Sequence, residues 1–294
     1  MRENPAMTTP SVVEIDHRDP ALQAAFCDYV PQVFRTVDFR RWCAWGEWND
    51  DYRAFVVLDE GRVVANASVT RMLLRVEGRE VIGYQFGAVG CVPSHRGRGL
   101  SRVVMEAALE SCGEAPVLLF ANKNVLGFYP RFGFTPREQA LFGAGFHAVP
   151  GGEPAPVLEL AEAHVRSGLV SLCAEGLAVT ERFGARGHAR IASWYAANAF
   201  SRPLRRLHAE AWVFAGVENG TLYIDDIFAR EPFDLRPHIP RLIDQPITAV
   251  HFGFTPERWW PRAGVVGEDT KADLFVRNLT PPPGPHRFPV MART

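Results

Sequence analysis

Arg96, Gly97, Arg98, Gly99, Leu100, Ser101 and Arg102 follow one another without a break, behind Pro93 and ahead of a run of helix formers. The chemistry such a row suits is the holding of an anion. A helix start leaves its first N–H groups without intrahelical partners, and the aligned peptide dipoles add partial positive charge there. Gly97 and Gly99 let those amides approach a ligand without side-chain obstruction, and the three arginines add charge. A diphosphate fits this chemistry; a neutral ligand does not need it. A plain turn between strand and helix would use the same glycines, so the row by itself leaves both readings open. Neither the G-x-x-x-x-G-K-[ST] loop nor the G-x-G-x-x-G fingerprint of other phosphate binders is present.

The row must be positioned by its neighbours. "YRAFVVLD", "VVANASVTRMLLRV" and "VIGYQFGAVGCV" are rich in β-branched and aromatic residues and are separated by the glycine turns "EGR" and "EGRE". They predict an antiparallel meander whose last strand ends at Pro93. Leu100, Val103, Val104, Ala107 and Ala108 recur at helix spacing and predict one apolar face after the row. "APVLLFAN" reads as a buried strand, and "NVLGFYPRFGF" as a short helix broken near Pro130 and Gly133. Upstream, "SVVEIDH" predicts a strand, and "DPALQAAFCDYVPQVF" a helix with Asp19 as cap and Pro20 in its first turn.

The stretch "PGGEPAP", 150–156, is the sharpest break in composition and sets a domain boundary. An α+β domain over 11–149, a second over 157–280 and a proline-rich tail over 281–294 are expected. The second domain has two helical stretches, a hairpin through Asn219–Gly220 and further strands "ITAVHFGF" and "ADLFVR". Its strand–strand–helix–strand order repeats that of residues 62–121, which suggests two copies of one fold with the second degenerate. The tail carries too many prolines for regular structure.

The totals exclude several classes. With 294 residues, 47% hydrophobic and 22% charged, the composition is that of a soluble globular protein. A formal net charge of −1 gives no support for nucleic acid or a membrane surface as partner. Five scattered cysteines without a CxxC pair argue against a disulfide framework or a zinc site, and no histidine pair has ligand spacing. No metal is expected. With no signal-like or membrane-spanning apolar run, a cytoplasmic protein is expected. Self-association is left open.

Arg96 to Ser101, after a strand closed by proline, resembles the R/Q-x-x-G-x-G/A signature of the GNAT superfamily of acyl-CoA-dependent N-acyltransferases. "ANKNVLGFYPRFGF" resembles that superfamily's N…Y-x-x-x-G-F segment at the expected distance. The Eis-like aminoglycoside acetyltransferase branch, which also has a second GNAT-like domain, is similar. Ser101 replaces the usual Gly or Ala. The resemblance implies a mixed, mostly antiparallel GNAT sheet flanked by helices, and acetyl-CoA as donor. It also implies a pantetheine arm paired with Val89, Gly90 and Cys91, and a pyrophosphate held by amides from Gly97 to Arg102. Asn124 and Val125 would flank the other side, with Asn122 contributing. Tyr129 matches the family's general acid, and a phenol, protonated at neutral pH, can supply a departing thiolate.

The resemblance leaves the acceptor open. A small-molecule amine, including an amine-bearing antibiotic, is the first expectation; a protein or peptide amine, or a non-catalytic acyl-CoA-binding module, are the alternatives. Trp42, Trp45 and Trp48, mixed with Glu47, Asp50 and Asp51, lie where such proteins build an acceptor wall and would suit a cation. Their spacing of three fits a core stripe equally well. Tyr84, Gln85 and Phe86 occupy the strand where some relatives carry a glutamate base. Trp45, Glu47, Trp48 and Tyr84 are therefore the acceptor-side candidates, with Glu47, Asp50 or Asp51 acting as base through a water. In Eis-like proteins the terminal carboxylate enters the active site; that role is not carried to Thr294.

Overall fold

Glycine turns and β-branched runs lay down the first sheet. A computed structural model describes residues 10–270 and 273–294. The chain opens with β1 (Val12–Ile15), α1 (Pro20–Val33) and the short α2 (Arg40–Ala44). Asp19 caps α1, its side chain accepting from Leu22 N at 3.0 Å. The meander follows as β2 (Tyr52–Asp59), β3 (Arg62–Val76) and β4 (Arg79–Cys91). Its two hairpins turn through Glu60–Gly61 and Glu77–Gly78, all four residues at positive φ, which matches the right-handed twist of the strands they join. α3 (Leu100–Cys112) buries Leu100, Val104, Met105, Ala108 and Cys112 against this sheet, close to the expected face, with Val103 and Ala107 half-buried at its margin. β5 (Val117–Ala121) then runs parallel to β4, and β6 (Thr135–Arg137) and β7 (Ala140–Ala148) follow.

The second half contains β8 (Val157–Leu158), α4 (Ala163–Glu175), β9 (Phe183–Arg186), α5 (Ala189–Ala197) and β10 (Leu204–His208). The hairpin β11 (Ala211–Glu218)–β12 (Thr221–Ala229) turns through Asn219–Gly220 as expected. The one-turn α6 (Ile239–Leu242), β13 (Ile247–Phe252), β14 (Gly264–Glu268) and β15 (Asp273–Arg277) complete it. Among the described residues no helix is long and apolar enough to cross a membrane.

The strands form two sheets of like design. The first has the order β1-β2-β3-β4-β5-β15-β6, and the second β14-β7-β13-β12-β11-β10-β8. In each, an antiparallel meander meets one parallel pair, β4–β5 or β12–β13. The two sheets thus repeat one design, in line with the expected tandem. Strand membership does not divide at residue 150, however. β15 lies between β5 and β6 in the first sheet, and β7 lies between β13 and β14 in the second, so each half lends the other one strand. A further crossing has a simple cause. β2 pairs with β3 only as far as Thr70, which leaves an open edge at Leu73–Val76, and β9 covers it.

The proline-rich tail has no strand and only one turn, Val290–Ala292. It is nonetheless buried, with Phe288, Met291, Ala292 and Arg293 enclosed. Gln85 of β4 substitutes for a backbone partner there: its Nε2 donates to Ala292 O at 2.8 Å and its Oε1 accepts from Thr294 N at 2.7 Å.

Candidate active site

The site begins with a fault in the meander. Ser68 lies opposite Gly87 and Asn66 opposite Gly90, so Ala88 and Val89 together face one residue of β3, and Ala88 has a φ of 49°. This bulge swings β4 away from β5, whose pairing with β4 covers only Tyr84–Phe86. From Gly87 to Cys91 the backbone is thus free on one side, and a cavity of about 900 Å³ opens there. Asn66, fully buried, fixes the bulge by donating from Nδ2 to Ala88 O at 2.7 Å and to Ser68 Oγ at 2.9 Å. Asn66→Ala is expected to cost about 1–3 kcal/mol of stability by leaving the Ala88 carbonyl unpaired. The same variant should weaken acetyl-CoA binding; denaturant melts and calorimetry on one preparation check both.

β4 leads directly into the glycine row. Gly97 and Gly99 have φ values of 77° and 78°, with nothing within 4 Å of where a Cβ would stand. Both positions therefore need glycine for the left-handed backbone, and both face open space. Gly99 begins α3 with no side chain capping it. Arg96 Nε donates to Cys91 O at 3.2 Å and ties the loop to the strand. Val89, Gly90, Cys91, Arg96 and Ser101 line the cavity. Gly97, Arg98, Gly99 and Arg102 are exposed beside it, Arg102 on Glu106 at 2.7 Å, whereas Leu100 turns into the core.

Across the opening, β5 ends in a turn in which Asn122 Oδ1 accepts from Asn124 N at 3.1 Å. Asn122, Asn124, Val125 and Tyr129 line that side of the cavity. The Tyr129 ring packs against Phe128, Phe134 and Phe275, the last carried in on the borrowed strand β15. Burial alone pushes its phenol up to about 12. A group so shifted holds its proton across the physiological range and remains a donor.

The acceptor-side expectations fare differently. Trp45, Glu47, Trp48 and Tyr84 do not line the cavity. The reason is local: α2 ends at Ala44 and the chain turns at Gly46, with φ 74°, so the tryptophans do not share one helical face. Trp48 is a core residue 4.8 Å from the Tyr52 ring, and Trp45 stacks under Arg166 at 4.9 Å. Glu47 is buried between Arg166 at 3.3 Å and Arg190 at 3.0 Å; burial raises its carboxyl against the pull of both. Tyr84 lies beside Arg53. Asp50 is exposed near His17, while Trp42 and Asp51 do reach the cavity.

Other residues of the cavity wall were not singled out. Arg71, Arg186, His188, Arg190 and Thr294 line it. His188 is 5% exposed; its Nε2 donates to Asp226 Oδ2 at 2.7 Å, and its Nδ1 is buried without a partner among the described residues. The carboxylate thus fixes the ring with its proton on Nε2 and a lone pair on Nδ1. Asp226 lies 38 residues from His188, a separation that leaves no local signal in the sequence. Thr294 Oγ1 donates to Phe86 O at 3.4 Å, above the bulge. Among the described residues no group of His, Cys, Asp and Glu is arranged to hold a metal.

Residues 20–137 match the family model described as an acetyltransferase (GNAT) domain. No curated protein matches in sequence. In structure the chain is similar to Eis1 from Mycobacterium abscessus, with TM-score 0.56 and 16% identity over 90% of this chain and 73% of that one. A probable N-acyltransferase from Enterococcus faecalis V583 gives 0.54 and 14%, over 92% and 73%. Saccharomyces cerevisiae N-myristoyltransferase, determined with bound myristoyl-CoA, gives 0.52 and 9%, over 96% and 86%. At such identities these likenesses establish the shared fold.

Proposed function

We propose, from the match of residues 20–137 to the GNAT acetyltransferase domain, that this chain moves an acetyl group from acetyl-CoA to the primary amine of a small molecule. One observation carries the reading: the free edge of β4, the uncapped start of α3 and Tyr129 all meet at one cavity. An extended pantetheine arm can add to Val89–Cys91 as a further strand would. Its pyrophosphate then falls to the amides between Gly97 and Ser101, with Arg96 and Arg98 close by.

The chemistry needs two proton transfers. The amine nitrogen attacks the thioester carbonyl carbon, forming the C–N bond, and the C–S bond then breaks. Tyr129 gives its phenolic proton to the leaving sulfur. The proton shed by the amine passes to His188 Nδ1, with Asp226 holding the ring and balancing the imidazolium. The products are an amide and free CoA, and proton exchange with solvent resets both groups. A cavity walled by both halves suits a compact acceptor; a peptide needs an open groove.

Calorimetric titration with acetyl-CoA, followed by detection of released CoA against a panel of amines, tests the reading. Binding with amine-dependent thiol release is expected. No heat at millimolar acetyl-CoA removes the proposal, and binding without release from any amine reduces the chain to a cofactor-binding module.

A further inference from the structure

We infer that the acceptor is an amine that also bears an anionic group, a carboxylate or a phosphate, and is not a polycation. This deepens the proposed acetyl transfer and rests on it. The observation is the charge on the acceptor half of the cavity. Arg71, Arg186 and Arg190 line it together, and among the described residues Asp51 alone is an acidic side chain in that lining.

Register explains the convergence of two of the three. β9 pairs with β3 so that Leu73 faces Arg186. Arg71, two residues before Leu73, therefore projects from the same face of the sheet as Leu73. Arg190 follows on the first turn of α5.

The carboxylates nearby do not cancel this charge. Asp51 is already engaged by Arg71 at 3.4 Å. Glu47, the partner of Arg190, is buried outside the cavity lining and also bound by Arg166. Arg186 meets Glu80 at 3.2 Å, but Glu80 also serves Arg75, and Arg75 and Arg258 share Glu181. Those three arginines and two carboxylates leave a positive charge in excess, as do Arg166 and Arg190 on Glu47. Arg186 Nε and Thr70 Oγ1 are, moreover, buried without partners among the described residues.

An ammonium placed here meets like charge, and the one acidic side chain of the lining is already paired. A carboxylate or phosphate meets guanidinium forks, which bind such groups in bidentate fashion. An anion held on this wall also leaves the amine of a small molecule free to turn towards the thioester.

The test uses the full chain with saturating acetyl-CoA and follows CoA release with four amines: β-alanine, phosphoethanolamine, the neutral propylamine analogue, and spermidine. One or both anionic amines should exceed propylamine in kcat/KM by about tenfold or more, with spermidine no better than propylamine. Comparing the two anionic amines separates carboxylate from phosphate. In Arg71→Gln and Arg190→Gln the ratio of anionic-amine to propylamine kcat/KM should fall about tenfold, mostly through the KM of the anionic amine. Preference for spermidine, or an unchanged anionic-to-neutral ratio in both folded variants, overturns the inference. Neither result touches the acetyl transfer itself, whose failure is read separately, as absence of acetyl-CoA binding.

Discussion

Tyr129→Phe is expected to lower kcat by about 10²–10⁴-fold, the span typical for loss of a general acid. Acetyl-CoA affinity should stay within about threefold, because the change deletes one oxygen and keeps the ring. The ring's contacts with Phe128, Phe134 and Phe275 depend on its faces and edges, and phenylalanine retains them. What disappears is the donor. Burial pushes the phenol up to about 12, so the protonated, donating form is present below that value and is lost above it. The rate should therefore show no alkaline fall from this group near pH 10, where an exposed phenol would begin to ionise. Steady-state kinetics beside calorimetry check the separation of kcat from binding. Unchanged turnover would remove the role assigned to Tyr129.

His188→Gln should lower kcat/KM at neutral pH by about 10²-fold or more. Glutamine keeps a polar side chain there but has no ring lone pair to accept the amine's proton. Asp226→Asn gives an independent check. The Asp226 carboxylate accepts from Nε2 and also from Ile227 N at 2.8 Å, through its other oxygen. An amide in its place can present N–H to Nε2, which moves the ring proton to Nδ1 and blocks the lone pair there. Loss comparable with that of His188→Gln is expected. If His188→Gln keeps the full rate, the pair is only a buried contact between the start of α5 and β12.

What the sequence disclosed was local. The meander, its glycine turns, the apolar face of α3 and the run "RGRGLS" are each written within about twenty residues, and period and turn chemistry suffice to read them. Tyr129 became visible through a motif of the same kind. The arginine-lined wall of the cavity was not legible for the opposite reason. Arg71, Arg186 and His188 meet because β9 fills an edge that β2 leaves open, and strand pairing across a hundred residues leaves no periodic trace. The tryptophans were misleading because their spacing of three signals one face only inside a helix, and α2 stops before Trp45. The tail likewise looked unstructured from its prolines, yet its backbone groups find partners in the side chains of Gln85 and Gln139.

The exchange of β7 and β15 has a mechanical consequence. Each lobe is sewn into its neighbour by main-chain ladders on both flanks of a central strand, so the lobes cannot part like the shells of a clam without tearing a sheet. Traffic of substrate and product must then use the rim segments around the cleft, while the frame beneath stays rigid. Such a frame holds the walls of the cavity, drawn from distant stretches of the polypeptide, at a constant separation.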